Sequence, residues 1–338
     1  MLFSQDIGID LGTSNTLICV RNKGILLREP SVVAVSVNTT TRRVVAVGNE
    51  AKEMIGRTPG SIVAVRPVKD GVIADFGVTA DMLRFFIKKA MTSSPFARAR
   101  VMISIPSGVT EVERKAVHDA AIAAGARYVS LIEEPMAAAI GAGVHVTDAK
   151  GAMVVNIGGG TTEVAVIALG DIICSKSVRL AGDVFDDAIV QYIRKKYNVL
   201  IGERTAEELK ISLGSAAPYD GEGAMEVRGR GLIDGLPKNI EVTSEDVRDA
   251  LIDSVNQIVE TIRLTLEKTP PEIAADIMDS GILLTGGGAL LRGLDRLIRQ
   301  KTGMPTKIAE EPMDCVATGT AICLNKDTLN VRLKANKD

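Results

Sequence analysis

The chain has 338 residues, 46% hydrophobic but only 3% aromatic and without tryptophan, so its cores are built from Val, Ile, Leu and Ala, as in sheets buried under helices. A formal net charge of −2 and the absence of any Lys/Arg run exclude nucleic acid as the expected partner. With only His118 and His145, and with Cys19, Cys174, Cys315 and Cys323 widely spaced, a His/Cys metal cluster or a Ser-His-Asp triad has almost no raw material, and the cysteines read as free thiols of a reducing cytosol.

Apolar runs bounded by turn formers predict strands over 7–11, 16–21, 31–37 and 44–47. A helix follows over 79–91, with Met82, Phe85, Phe86 and Met91 on or near one face, then a buried strand over 100–105. Thr110-Glu111-Val112-Glu113 has the form of a capping box, opening a helix that Gly125 ends. After a strand over 128–132, Glu133-Glu134-Pro135 puts a proline in the first turn of a helix over 136–143. The grammar then repeats across a short linker near 141–151, with strands over 152–157, 163–169 and 172–177 and a helix over 183–197. Thr205-Ala206-Glu207-Glu208 is expected to open a short helix, and 224–230 and 238–242 to be strands of an inserted subdomain. Thr243-Ser244-Glu245-Asp246 caps a long helix to Lys268 that Pro270-Pro271 stops. No apolar run reaches membrane-spanning length and no signal peptide precedes the first strand, which predicts a soluble protein.

Two glycine-hydroxyl turns dominate: Gly12-Thr13-Ser14-Asn15 and Gly158-Gly159-Gly160-Thr161, each between strand-like runs. Glycine lets such a turn set successive backbone N–H groups against a phosphate, and the hydroxyls of Thr13, Ser14, Thr161 and Thr162 add donors. Aligning Gly12 with Gly158 suggests a duplicated domain with one phosphate turn per copy, gripping a phosphate chain from both sides. A third element, residues 282–291, reads as a strand feeding a helix through Gly286-Gly287-Gly288-Ala289, suited to a nucleotide's adenosine and α-phosphate.

Together these turns, the Glu-Glu-Pro helix start and the Thr-Gly-Gly-Gly-Ala run resemble the actin/Hsp70/sugar-kinase ATPase superfamily. Residues 27–34 (LREPSVVA), 66–76 (RPVKDGVIADF), 201–207 (IGERTAE) and 312–317 (PMDCVA) are similar to the bacterial actins MreB and Mbl, a resemblance running from Asp6 to Leu324. It implies an α/β, actin-like ATPase fold of two related domains, 1–143 and 144–338, each a mixed sheet flanked by helices. Subdomains are inserted at about 32–65 and 178–242, and the C-terminal segment returns to the first domain. It also implies ATP/ADP and Mg²⁺ as cofactors and self-assembly into filaments on the inner face of the cytoplasmic membrane. Transmembrane morphogenesis and cell-wall synthesis proteins are the implied partners, and rod shape the implied role. Asp10 matches the carboxylate that holds Mg²⁺ through water. Glu134 matches the residue that orients or deprotonates the attacking water, with Thr162 helping to place it. Glu207 and Lys210 are expected at the ribose or base, with Gly286, Gly287 and Gly288 at the nucleoside.

One departure stands out. The second turn is normally introduced by Asp-Ile-Gly-Gly-Gly, whereas this chain has Asn156-Ile157-Gly158-Gly159-Gly160. An amide keeps the acceptor but not the charge, so nucleotide binding is expected to survive while hydrolysis is weakened. The matching family loop places Pro95 and Phe96 at the membrane, and the apolar Leu2 and Phe3 are expected beside them. A chaperone-type ATPase or a small-molecule kinase would share the phosphate turns. The first needs a peptide-binding domain after the ATPase core, and the second a catalytic Asp at an acceptor hydroxyl, and neither is evident here.

Overall fold

The computed structural model describes residues 4–37, 43–91 and 98–324. The first half runs β1 (Ser4–Leu11), β2 (Asn15–Val20), β3 (Gly24–Pro30), β4 (Val33–Ser36), β5 (Arg43–Val47), α1 (Asn49–Glu53) and β6 (Ile62–Val65). A small hairpin, β7 (Val68–Lys69) and β8 (Val72–Ile73), precedes α2 (Phe76–Ala90), β9 (Arg98–Ile105), α3 (Glu111–Ala123), β10 (Tyr128–Glu133) and α4 (Glu134–Gly141). The second half begins β11 (Ala152–Ile157), β12 (Thr162–Ala168), β13 (Asp171–Val178), α5 (Gly182–Tyr197), β14 (Val199–Leu200), α6 (Glu203–Leu213), β15 (Ala224–Gly231) and β16 (Pro237–Thr243). It closes with α7 (Ser244–Lys268), α8 (Pro271–Ser280), β17 (Ile282–Thr285), a 3-10 turn (Gly287–Leu290), α9 (Leu294–Thr302), β18 (Thr306–Ile308) and α10 (Cys315–Cys323).

Two five-stranded sheets carry the molecule, in the orders β3-β2-β1-β9-β10 and β13-β12-β11-β17-β18. Each has three antiparallel strands followed by two parallel ones. The orders coincide strand for strand, so the repeat of the glycine turns is a repeat of topology. Three-stranded sheets, β5-β4-β6 and β14-β15-β16, are inserted after β3 and α5 respectively. Each large sheet buries one face under its own helices: Ile7, Ile9 and Ile103 against Met82 and Phe86, and Val155, Ile157 and Val166 against Phe185 and Ile262. A third core belongs to both halves, joining Met102 and Ile132 to Val154 and Ala165 through Met136 and Ile140 of α4 and Cys315 and Val316 of α10. Alternation along β1 explains how α10 reaches the first sheet: Ile7 and Ile9 face one core, while Gly8 faces α10 so closely that a Cβ would stand 2.5 Å from the Ala321 nitrogen.

Both predicted capping boxes form. Thr110 and Thr243 accept the N–H groups of Glu113 and Asp246 at 3.2 Å, and their own N–H groups donate back at 2.8 and 3.0 Å. Three local expectations need correction. The strand expected over 31–37 shrinks to β4, and the segment before it forms a strand, β3. Helix α6 starts at Glu203 behind Gly202, with no side-chain cap, so Thr205 is not its opener. As expected, α7 ends at Lys268, with Thr269 extended ahead of Pro270-Pro271, and Pro271 also opens α8, where a missing N–H costs no helical bond. The three glycines after β17 lead into a 3-10 turn, and the α-helix waits until Leu294.

Candidate functional site

The two glycine turns touch. Gly12 ends β1 in a turn so tight that a Cβ would stand 2.6 Å from the Asn15 carbonyl oxygen. Ser31 pins it from behind, its hydroxyl donating to Gly12 O at 2.6 Å and its N–H to Ser14 O at 3.0 Å. In the second turn the Gly158 N–H donates to Thr161 O at 2.9 Å. A Cβ on Gly159 would lie 2.7 Å from that of Ser14, and one on Gly160 3.0 Å from that of Thr13, so only glycine permits this approach. The Ser14 hydroxyl donates across the junction to Asp183 Oδ1 at 2.9 Å, and Thr13 Oγ1 accepts the Gly71 N–H at 3.0 Å. These hydroxyls are engaged in holding the turns, which leaves anion recognition to the backbone N–H groups.

A cavity of about 340 Å³ opens between the halves, lined by Gly12, Thr13, Ser14 and Asn15 on one side and Gly158, Gly159, Gly160 and Thr161 on the other. Asp10, Glu134 and Asn156 also line it. Asp10 is the penultimate residue of β1, Asn156 that of β11, and Glu134 opens α4 just before Pro135. Burial pushes the Asp10 carboxyl up to about 7, opposed by the Ser104 hydroxyl 3.2 Å away. Burial also pushes Glu134 well above the usual carboxylate range, helped by the charges of Asp10 and Glu163 and opposed by the Asn156 amide, whose Nδ2 donates at 3.4 Å. Glu163, fully buried behind them, is held by Ser177 Oγ at 2.5 Å and the Ser107 N–H at 3.1 Å; burial still pushes it up to about 6.

Among the described residues no group of three or more His, Cys, Asp or Glu could cage a metal ion. Asp10, partly buried, and the buried Glu134, neither paired with Lys or Arg among the described residues, instead fit a hydrated Mg²⁺ that takes its remaining ligands from water and phosphate. Thr162 departs from expectation. It is fully buried, its hydroxyl donates to Leu180 O at 2.6 Å, and the threonine on the cavity wall is Thr161.

Glu207, Lys210, Gly286, Gly287 and Gly288 line the same cavity. Glu207 takes Lys52 of α1 as a partner at 2.7 Å. Lys210 Nζ donates to Gly182 O at 2.9 Å and to Asp186 Oδ2 at 2.8 Å, so its charge is already paired. Ala289 is fully buried and not on the wall. Sequence reasoning missed Ile211, Leu290 and Met313, which also line the cavity although 66%, 55% and 40% exposed. Large apolar side chains left open around a cavity suit a flat ring. Ile211 lies four residues after Glu207 on α6, so helical spacing could have found it.

The MreB/Mbl protein family matches residues 4–331. The chain belongs to that family. It is 52% identical to the cell shape-determining protein Mbl of Bacillus subtilis (strain 168) over 332 residues, covering 98% of this chain and 99% of that one. It is 54% identical to the cell shape-determining protein MreB of Escherichia coli (strain K12) over 322 residues, covering 94% and 92%. Among solved structures, MreB5 of Spiroplasma citri bound to AMPPNP superposes with a TM-score of 0.90 at 40% identity, covering 96% of this chain and 98% of that one. The MamK double helical filament shares the fold, with a TM-score of 0.80 at 20% identity, covering 95% and 98%.

This MreB/Mbl chain ties its halves together across the cavity mouth as well as at the turns. Besides Lys52–Glu207, Arg66 of the first half pairs with Glu203 and lies 3.7 Å from Asp183. Leu2, Phe3, Pro95 and Phe96, expected at a membrane, lie outside the described residues. Among those described, no helix is long and apolar enough to cross a membrane.

Proposed function

We propose that this chain binds ATP or ADP with Mg²⁺ between its two glycine turns, hydrolyses ATP with Glu134 as base, and assembles head-to-tail into filaments. The filaments would lie on the inner face of the cytoplasmic membrane and organise cell-wall synthesis and rod shape. The observation that carries the reading is the meeting of Gly159 with Ser14 and Gly160 with Thr13 beside Asp10 and the buried Glu134. MreB5 of Spiroplasma citri, bound to AMPPNP in one crystal structure and to ADP in another, supports the choice of ligand.

The turns supply backbone donors to the phosphates from both sides. Burial gives Glu134 the raised proton affinity a base needs, and the Asn156 amide orients its carboxylate. Thr161, on the wall, takes the water-placing role first expected of Thr162. Bound Mg²⁺ would neutralise charge developing on the phosphates, with Asp10 holding it through water. Ile211, Leu290 and Met313 give the base an apolar slot, and the Gly286–Gly288 backbone lies open beside it. Contacts between copies that join unlike surfaces do not close on themselves, the geometry of an open filament.

Sedimentation with and without Mg²⁺-ATP, with negative-stain microscopy of the pellet and phosphate release measured in parallel, tests this. Filaments and phosphate release are expected with ATP. Glu134→Gln should retain nucleotide binding while phosphate release falls about 10²-fold or more. A monomer under all conditions, liposomes included, or phosphate release unaltered in Glu134→Gln, would overturn the reading.

A further inference from the structure

The matched topology puts Asp10 and Asn156 in equivalent positions, each two residues before the first glycine of its turn. The equivalence extends to their partners. Ser104 on β9, the parallel neighbour of β1, donates its hydroxyl to Asp10 Oδ1 at 3.2 Å. Thr285 on β17, the parallel neighbour of β11, donates its hydroxyl to Asn156 Oδ1 at 3.2 Å. The ionised Glu134 carboxylate, which can only accept, settles which end of the amide is which. With Oδ1 facing Thr285, Nδ2 is presented to Glu134 Oε2 at 3.4 Å, both groups buried. No Lys or Arg among the described residues pairs with Asp10 or Glu134, so the Asn156 N–H is the donor that meets Glu134.

Accepting that nucleotide binds here, we propose that Asn156 loosens the dependence of nucleotide binding on Mg²⁺. A carboxylate at position 156 would add a third carboxylate beside Asp10 and Glu134 and would withdraw the side-chain donor that meets Glu134 among the described residues. The phosphates could then enter only with a cation to offset the repulsion. The amide removes one charge and gives Glu134 a neutral partner, so the metal-free complex loses less.

The test is the dissociation constant of AMPPNP, which is not turned over at its β–γ bridge, measured calorimetrically in Mg²⁺ and in EDTA for the full chain and for Asn156→Asp. The ratio of the EDTA to the Mg²⁺ value is expected to be at least about tenfold smaller for the natural chain, one charge at short range being of that order. Asn156→Ala, which loses the donor without adding a charge, should lie between. Equal ratios in all three proteins overturn the inference and leave the nucleotide reading intact. Absence of binding by the natural chain in both buffers overturns the nucleotide reading itself, and the inference with it. Melting curves establish that each variant is folded. If Asn156→Asp is not, Asn156→Ala decides: a raised ratio supports the donor role and an unchanged one refutes it.

Discussion

Helices α4 and α10 cross at a pair of glycines, and replacing either should unseat the joint between the halves. A Cβ on Gly319 would overlap the Ala137 carbonyl oxygen and stand 2.7 Å from its carbon and 3.0 Å from the Gly141 nitrogen. The contact is reciprocal: a Cβ on Gly141 would overlap the Cys315 carbonyl oxygen and stand 2.7 Å from its carbon. Ordinary contacts begin near 3.4 Å, and backbone has no rotamer with which to yield, so the helices must part by roughly 1 Å across a close-packed core. Overpacking of this kind costs about 3 kcal/mol, whereas Gly→Ala inside a helix gains about 1 kcal/mol in propensity. The two terms have opposite signs and the clash is the larger, leaving Gly319→Ala destabilised by at least about 2 kcal/mol, a Tm lower by about 3 °C or more. Because α4 begins at Glu134, the same displacement reaches the site, and AMPPNP affinity should fall as well. Gly60→Ala is the control: its Cβ meets nothing within 4 Å, so Tm should hold or rise slightly. A Gly319→Ala protein that melts at or above the natural temperature would refute the argument, since propensity alone predicts that outcome.

Gly287 lines the cavity, and a Cβ there meets no protein atom within 4 Å. Gly287→Val should therefore keep the natural melting curve while AMPPNP affinity drops tenfold or more; natural affinity would remove the nucleoside from this wall. Lys52→Ala breaks the 2.7 Å pair with Glu207 across the mouth. A partly exposed pair is worth up to about 1 kcal/mol, so displacement of a fluorescent nucleotide should quicken about two- to fivefold at low salt and not at 1 M KCl, and an unaltered rate would deny the pair any latching role. Burial opposes ionisation of Asp246, but hydrogen bonds from Lys196, Tyr197 and Thr243 prevail and hold its pKa down at about 2. A depressed carboxylate stabilises the fold above its ordinary value of 3.8 and loses that contribution as pH falls from there towards 2. The contribution is at most about 2 kcal/mol, since Lys196 is half exposed and screened. Asp246→Asn should thus lower denaturant stability at pH 7, with the gap to the natural chain closing by pH 2; a gap constant across that range would refute the assignment.

What the sequence made legible is what short-range chemistry dictates. Thr110 and Thr243 announce their helices because a capping box is complete within four residues. The two phosphate turns are visible because the glycines permit both the turn and the contact between turns. Strand β3 escaped because Glu29-Pro30 looks like a turn, while its place beside β2 depends on a distant sheet. Helix α10 was equally hidden: Cys-Val-Ala-Thr-Gly-Thr-Ala has little helical propensity, and its helix is sustained by packing on α4 and β1. Thr161 and Thr162 could not be told apart from sequence, since adjacent strand residues face opposite ways and the register that decides between them is tertiary. Ile211, Leu290 and Met313 carry no motif, and only the folded chain gathers them at one cavity.

The duplication also explains where the chemistry lies. The approaches of Gly141 to Cys315 and of Gly319 to Ala137 are reciprocal, so α4 and α10 meet as equivalent partners at the joint. Glu134, at the start of α4, and Pro312, just ahead of α10, both line the cavity. On the proposed reading, one copy offers the phosphates a buried carboxylate where the other offers the nucleoside an apolar wall continued by Met313. Asp10 and Asn156 diverge in the same way while keeping equivalent hydroxyl partners. A symmetric scaffold brings two turns together, but a nucleotide has unlike ends, and hydrolysis needs its base at only one of them. The positions where the copies differ in charge are thus the positions that orient the ligand. On the proposed reading, a single amide at 156, spatially conservative, would bear on metal dependence more than on fold.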